Sequence, residues 1–230
     1  MSVIEANILD ELEGFDTPTI CNALEMIDPV RRFFGFTRHL MHSFNPDVGP
    51  VVGYAKTATM RSLDKSEKSS ATLKEERLEY YRYVSEGDRP KIAVMQDLDG
   101  KEAGIGPFWG EFNTRIHQSL GCKAVVTDGS LRDIDLLPKD LLIVSAGPRP
   151  SHAHIHVTGF GQQVSVFGMY VSSHNLVHAD LHGAVTFPDH LAEDVIKSAR
   201  EFVASEAPIL TECRKRNLSF EEVAKLYMSR

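Results

Sequence analysis

Ile92-Ala93-Val94-Met95, then Gly104-Ile105-Gly106-Pro107-Phe108-Trp109-Gly110-Glu111, then Lys123-Ala124-Val125-Val126-Thr127-Asp128-Gly129-Ser130-Leu131-Arg132-Asp133 decide the fold. The two apolar runs read as short strands, and each ends in a polar, glycine-bearing segment. Between them Phe112, Ile116 and Leu120 recur at four-residue spacing and Gly121 follows, a helical stripe with a glycine stop. Strand, helix and strand in that order argue for an α/β fold with parallel pairs. Ligands of open α/β sheets gather beyond the carboxyl ends of the strands, so both glycine-bearing turns are expected at one site.

The flanking sequence extends this pattern. Thr17-Pro18 reads as a hydroxyl cap with proline at the first helical position, opening a helix that stops near Asp28-Pro29. Residues 51–60 form a Val/Ala/Thr-rich strand, 62–70 a polar loop and 72–84 a helix. A further strand is expected at 141–144, and three more β runs at 154–157, 163–171 and 184–187. Helices are expected over 189–205 and after Asn217, where Ser219-Phe220-Glu221-Glu222 is a capping-box pattern. The expectation is one domain over 1–230, with 189–230 as a C-terminal helical extension.

The chain has 230 residues, 42% hydrophobic and 25% charged, the balance of a globular protein. Its net charge of −7 argues against a broad nucleic-acid surface. No apolar run approaches the roughly 20 residues that cross a bilayer, and Met1 to Asn7 lack the pattern of a secretory signal. Cys21, Cys122 and Cys213 are far apart and odd in number, which argues against a disulfide framework or a CxxC site. A cytoplasmic protein with reduced thiols is expected.

Glu111, Arg132 and Asp133 carry the chemistry. Hard cations such as Mg²⁺ take oxygen ligands, often one or two carboxylates with waters and substrate oxygens. An arginine beside them offers a planar fork to a substrate carboxylate or enolate. Backbone N–H groups from Gly110 to Asn113 open a helix, where they favour an anion. Each residue also has a plainer reading. Glu111 could simply complement a helix dipole, Asp128-Gly129 could be a turn, and Arg132–Asp133 a surface pair.

His152, His154 and His156 alternate, so a strand would set three imidazoles on one face, able to hold Zn²⁺. The plainer reading is semi-buried imidazoles making hydrogen bonds in a β layer or an oligomer interface. Asp97-Leu98-Asp99-Gly100 lacks the later acids of a calcium loop and reads as a turn. Tyr80, Tyr81 and Tyr83 read as helix packing rather than a substrate entrance.

The joint spacing resembles the RraA-like family, which includes class II pyruvate aldolases. Gly110-Glu111, twenty residues, then Arg132-Asp133 match its aldolase pattern, with Asp128-Gly129 ahead of the pair. The segments 17–24, 53–59 and 179–185 also look like the family, with Asn22 where an Asp is usual. One departure stands out: the glycine expected six places before the acid is Ile105 here, flanked by Gly104 and Gly106.

The resemblance implies a swivelling β/β/α domain of layered mixed and parallel sheets, assembled as a homotrimer or homohexamer. It implies Asp133 as the direct ligand of Mg²⁺ or Mn²⁺, Glu111 holding water on that metal, and Arg132 binding the pyruvyl unit. The amides of Gly110, Glu111, Phe112 and Asn113 would assist. The implied activity is cleavage of a 4-hydroxy-2-oxo acid to pyruvate, with oxaloacetate decarboxylation as a side reaction. The rival expectation is a non-catalytic regulator that binds another protein. A histidine-centred metalloenzyme is a third. No glycine-rich S-adenosylmethionine loop follows the first strand, which sets a methyltransferase aside.

Overall fold

The computed structural model describes residues 4–87, 90–215 and 217–228. Met1, Ser2 and Val3, part of the N-terminal signal reading, lie outside them. The helices are α1 (Ala6–Leu12), α2 (Thr17–Ile27), α3 (Ser70–Ser85), α4 (Glu111–Ser119), α5 (Ala192–Cys213) and α6 (Phe220–Met228). The strands are β1 (His42–Phe44), β2 (Val51–Arg61), β3 (Lys91–Asp97), β4 (Cys122–Thr127), β5 (Leu142–Ser145), β6 (His156–Phe160), β7 (Val164–Val166), β8 (Met169–Val171), β9 (Leu176–Asp180) and β10 (Gly183–Phe187).

The protein is a mixed α/β fold built on a curled mixed sheet in the order β1-β5-β4-β3-β2-β9-β10. β2, β3, β4 and β5 run parallel, as the central strand–helix–strand pattern requires. β2 drives the curl. Its first residues pair with β9 through Val51↔Ala179, and its last pair with β6 through Arg61↔His156. One strand thus serves two antiparallel neighbours along the edge opposite β3.

Alternation sorts β3 into two cores. Ile92 and Val94 pack with Val126, Val144 and the β7–β8 hairpin. Ala93 and Met95 face the other way, onto Tyr80 and Val84 of α3 and onto Phe108 and Trp109. A third core joins α1, α2 and α5 to Val52, Leu176, Val185 and Phe187.

Several sequence expectations change in detail. The cap of α2 is Asp16, whose carboxylate accepts the Thr19 N–H at 2.8 Å. Thr17 lies inside the helix, and its hydroxyl meets His178 Nδ1 at 2.9 Å instead. The run 163–171 splits into β7 and β8 because Phe167 and Gly168 both take positive φ. α1, β1 and β9 were not foreseen, and α5 continues to Cys213 through Pro208. The capping box opens α6 as read: Ser219 and Glu222 exchange both bonds, at 2.7 and 3.2 Å. Among the described residues no helix is long and apolar enough to cross a membrane.

Candidate active site

Three carboxylates staple the carboxyl ends of β2, β3 and β4. Asp128 accepts the Asp97 N–H at 2.7 Å. Asp97 accepts the N–H of Gly104 at 2.8 Å and of Asp99 at 3.1 Å. Asp99 accepts the Ser62 and Leu63 N–H groups at 2.6 and 2.8 Å. The 97–100 segment is therefore a turn whose acids are satisfied by backbone donors. Burial pushes the Asp97 carboxyl up to about 6 and Asp128 up to about 7, although N–H donors to each pull the other way. Burial also raises Asp99, but the Ser62 and Leu63 donors outweigh it and leave this group below its ordinary range.

Beyond the staple the chain turns towards α4. Gly104 supplies a left-handed conformation (φ +83°), and Gly106 lets the loop pass where a Cβ would stand 2.5 Å from His152 O. Ile105 between them is 41% exposed. The two glycines thus divide two tasks, a turn and a close approach.

The second segment is pinned from both sides. Leu131 N–H donates to Gly147 O at 3.1 Å, Arg132 N–H to Trp109 O at 2.9 Å, and Arg149 N–H to Leu131 O at 2.9 Å. Asp133 then adopts a left-handed conformation (φ 55°), which sends its carboxylate back to the start of α4. A Cβ on Gly110 would lie 2.6 Å from Asp133 Oδ2 and 3.1 Å from Arg132 Cγ. Gly110 is extended, with φ −173°, so glycine is required here for space rather than for conformation.

Asp133 Oδ2 receives the Glu111 N–H at 3.4 Å and stands 3.4 Å from Arg132 Nε. Arg132 Nη1 donates to His152 Nδ1 at 3.0 Å. Burial and the Arg132 charge hold His152 below its ordinary pKa, consistent with a neutral acceptor. Gly110, Glu111, Arg132 and Asp133 are therefore together, although twenty residues separate the acid from the Arg–Asp pair. The Arg132 and Asp133 side chains are 32% and 35% exposed, open enough to meet a solute.

A family model described as RraA-like (Aldolase/RraA) matches residues 17–186. The chain belongs to the RraA-like family. Solved structures agree on the fold. One, described as a novel cellulase from microbes associated with the gut ecosystem, aligns with TM-score 0.74 at 15% identity, over 90% of this chain and 89% of that one. An uncharacterized protein from Pseudomonas syringae pv. tomato aligns with TM-score 0.70 at 20% identity over the whole of both chains. RraAS2 of Streptomyces coelicolor, described as an unusual member of the RNase ES inhibitor RraA family, aligns with TM-score 0.65 at 21% identity, over 90% of this chain and 97% of that one. Comparison with curated proteins gives no match. The RraA-like family includes both aldolases and RNase E inhibitors.

Within this RraA-like chain the helical stripe of α4 is a correction. Phe112 is 73% exposed and Ile116 only half-buried, while Asn113, Thr114 and His117 face inward. These polar residues are buried because each finds a partner; Asn113 Nδ2, for one, donates to Phe108 O at 2.6 Å. Phe112 and Asn113 consequently adjoin the site through their backbone N–H groups rather than their side chains.

The histidine reading is also corrected. Ala153 has positive φ and β6 begins only at His156, so the three imidazoles share no strand face. His154 N–H bonds to Ser62 O, and His156 Nδ1 donates to His154 O. Among the described residues no group of three His, Cys, Asp or Glu side chains could hold a metal ion. Mg²⁺ keeps most of its water and takes one or two carboxylates, so a site for it needs no such group. Asp133 fits that donor role: its Oδ2 has only a long bond to the Glu111 N–H and one arginine beside it.

Proposed function

We propose that this RraA-like protein is a divalent-metal-dependent aldolase. It cleaves a 4-hydroxy-2-oxo acid to pyruvate and decarboxylates oxaloacetate as a side reaction. One observation carries the reading: at the amino end of α4 the Asp133 carboxylate lies against Gly110, with the Glu111 N–H and the Arg132 guanidinium both directed at it. A regulator that only binds a protein has no need of that arrangement.

Asp133 would hold Mg²⁺ or Mn²⁺, with Glu111 acting through water. The cation, when bound, draws electrons from the 2-oxo group as a Lewis acid. Arg132 pairs with the carboxylate of the pyruvyl unit and stabilises the enolate charge as it develops. The first-turn N–H groups of α4, which have no carbonyl partner within the helix, add donors to the same anion. Glu111 takes the C4 hydroxyl proton through a water. The C3–C4 bond then breaks as C4 becomes the carbonyl carbon of the departing fragment, its electron pair forms the pyruvate enolate, and the proton taken up returns through the water to C3 to release pyruvate. In oxaloacetate the bond to CO₂ breaks and the same enolate forms. Exposed Phe112, Ile134 and Leu136 lie beside the site, where a neighbouring copy in a homotrimer or homohexamer would cover them.

The test is pyruvate release from oxaloacetate and from hydroxy-methyl-oxoglutarate, with Mg²⁺, with EDTA and in Asp133→Ala. Turnover that needs the metal and disappears in the variant is expected. No turnover, together with no binding of Mg²⁺ or pyruvate, would leave the regulatory reading in its place.

A further inference from the structure

Resting on the aldolase reading, we infer that Asn113, held by Tyr81, is the positioning residue that fixes the anion-binding turn of this site. Asn113 brackets the turn from inside. Its Nδ2 donates to Phe108 O at 2.6 Å, and its Oδ1 accepts the Tyr81 hydroxyl at 2.6 Å. Phe108 and Asn113 stand on either side of Gly110–Glu111, so one carboxamide closes the chain around the two residues that face Asp133. Thr114 Oγ1 tightens the same turn by donating to Gly110 O at 2.7 Å.

The donors are ordered by simple elimination. Asn113 O is a carbonyl and can only accept, so His117 Nδ1, 2.6 Å away, carries the proton. Burial keeps His117 neutral, with its pKa down at about 4, so Nε2 accepts and the Tyr80 hydroxyl donates at 2.8 Å. Two adjacent tyrosines of α3 thus anchor α4: Tyr80 through His117, Tyr81 directly. Tyr80 and His117 are fully buried and Asn113 is 7% exposed.

An apolar residue would fill this buried space without a hydrogen bond. What the carboxamide adds is direction, since it fixes which way the Gly110–Asn113 amides point. Asp133 depends less on this clamp than the amides do: Trp109 O and the Glu111 N–H belong to the clamped turn, but Gly147 O and the Arg149 N–H hold Leu131, two residues before Asp133, from outside it. Anion binding and metal binding should therefore separate when the clamp is cut.

The experiment compares wild type, Tyr81→Phe and Asn113→Ala in the full chain. Three readouts are steady-state oxaloacetate decarboxylation, Mg²⁺ affinity by calorimetry, and hydrogen exchange at residues 110–114. Each variant is expected to raise KM for oxaloacetate and Ki for pyruvate about tenfold. kcat should fall too, because the same amides meet the developing enolate, while Mg²⁺ affinity should stay within about twofold of wild type, with faster exchange at residues 110–114. Unchanged KM despite faster exchange would overturn the inference. So would a joint fall of kcat, Mg²⁺ affinity and melting temperature, the mark of general damage to packing. A wild-type protein that neither turns over oxaloacetate nor binds pyruvate overturns the aldolase reading itself and takes the inference with it.

Discussion

Gly110→Ala places a methyl group 2.6 Å from Asp133 Oδ2, about 0.8 Å inside the 3.4 Å edge of ordinary contact. The backbone has no objection, since φ −173° is open to any residue. All the strain therefore falls on the neighbouring side chains. Arg132 Cγ at 3.1 Å blocks one way out, and Leu131 and Arg132 are pinned by hydrogen bonds on both sides, so the Asp133 carboxylate must swing. An off-rotamer side chain and a lost weak hydrogen bond together cost about 1–2 kcal/mol. In a chain of this length that lowers Tm by roughly 2–8 °C. The effect on a cation should be larger in proportion. Mg²⁺ holds its oxygens near 2.0–2.1 Å and tolerates little displacement, so affinity is expected to fall about tenfold or more, some 1.4 kcal/mol. Calorimetric titration with Mg²⁺ and a thermal melt on the same sample measure both quantities. Wild-type Mg²⁺ affinity in a folded Gly110→Ala protein would refute Asp133 as the metal's ligand.

Asp128 makes stability depend on pH. Its folded pKa of about 7 lies above the unfolded value of 3.8, so between these the folded state binds the extra proton. Stability is then lost as pH rises through that window, by up to ~4 kcal/mol; Asp97, at about 6, acts in the same direction. Urea unfolding of metal-free protein at pH 5 and pH 8 should show the decline, and Asp128→Asn should flatten it; equal slopes in both proteins would sink this account. Ser219→Ala removes half of the capping box and should destabilise α6 by about 1 kcal/mol. Because α6 buries no residue, hydrogen exchange should speed up within it while the global Tm stays put; a clear Tm drop would mean that α6 is part of the cooperative core.

The parallel centre of the fold was legible because β2, β3, β4 and β5 are local records of burial. Val, Ile and Ala runs four to eleven residues long must be covered on both faces. β1 and β9 were not legible in the same way. β1 has only three residues, and β9 (Leu176-Val177-His178-Ala179-Asp180) carries a histidine and an aspartate within a fully buried strand. Their burial depends on Thr17 of a distant helix, which meets His178 through its hydroxyl and Asp180 through its N–H. α4 misled for the same reason. Apolar spacing pointed to Phe112, Ile116 and Leu120, whereas two tyrosines of α3 let Asn113 and His117 take the inner face.

By itself the sequence determined the parallel strand–helix–strand centre, the capping box of Ser219 and Glu222, and the Glu111 to Arg132–Asp133 spacing that marks the family. Each is a matter of neighbours along the chain, where side-chain size, polarity and backbone preference act within a few residues. Only the tertiary structure decided that Asp133 faces Gly110, that His152 receives Arg132, and that Asp97, Asp99 and Asp128 share one staple. Those contacts depend on how parallel strands set their carboxyl ends side by side. No local pattern records that distance, because it is fixed by the packing between the strands and not by either strand alone.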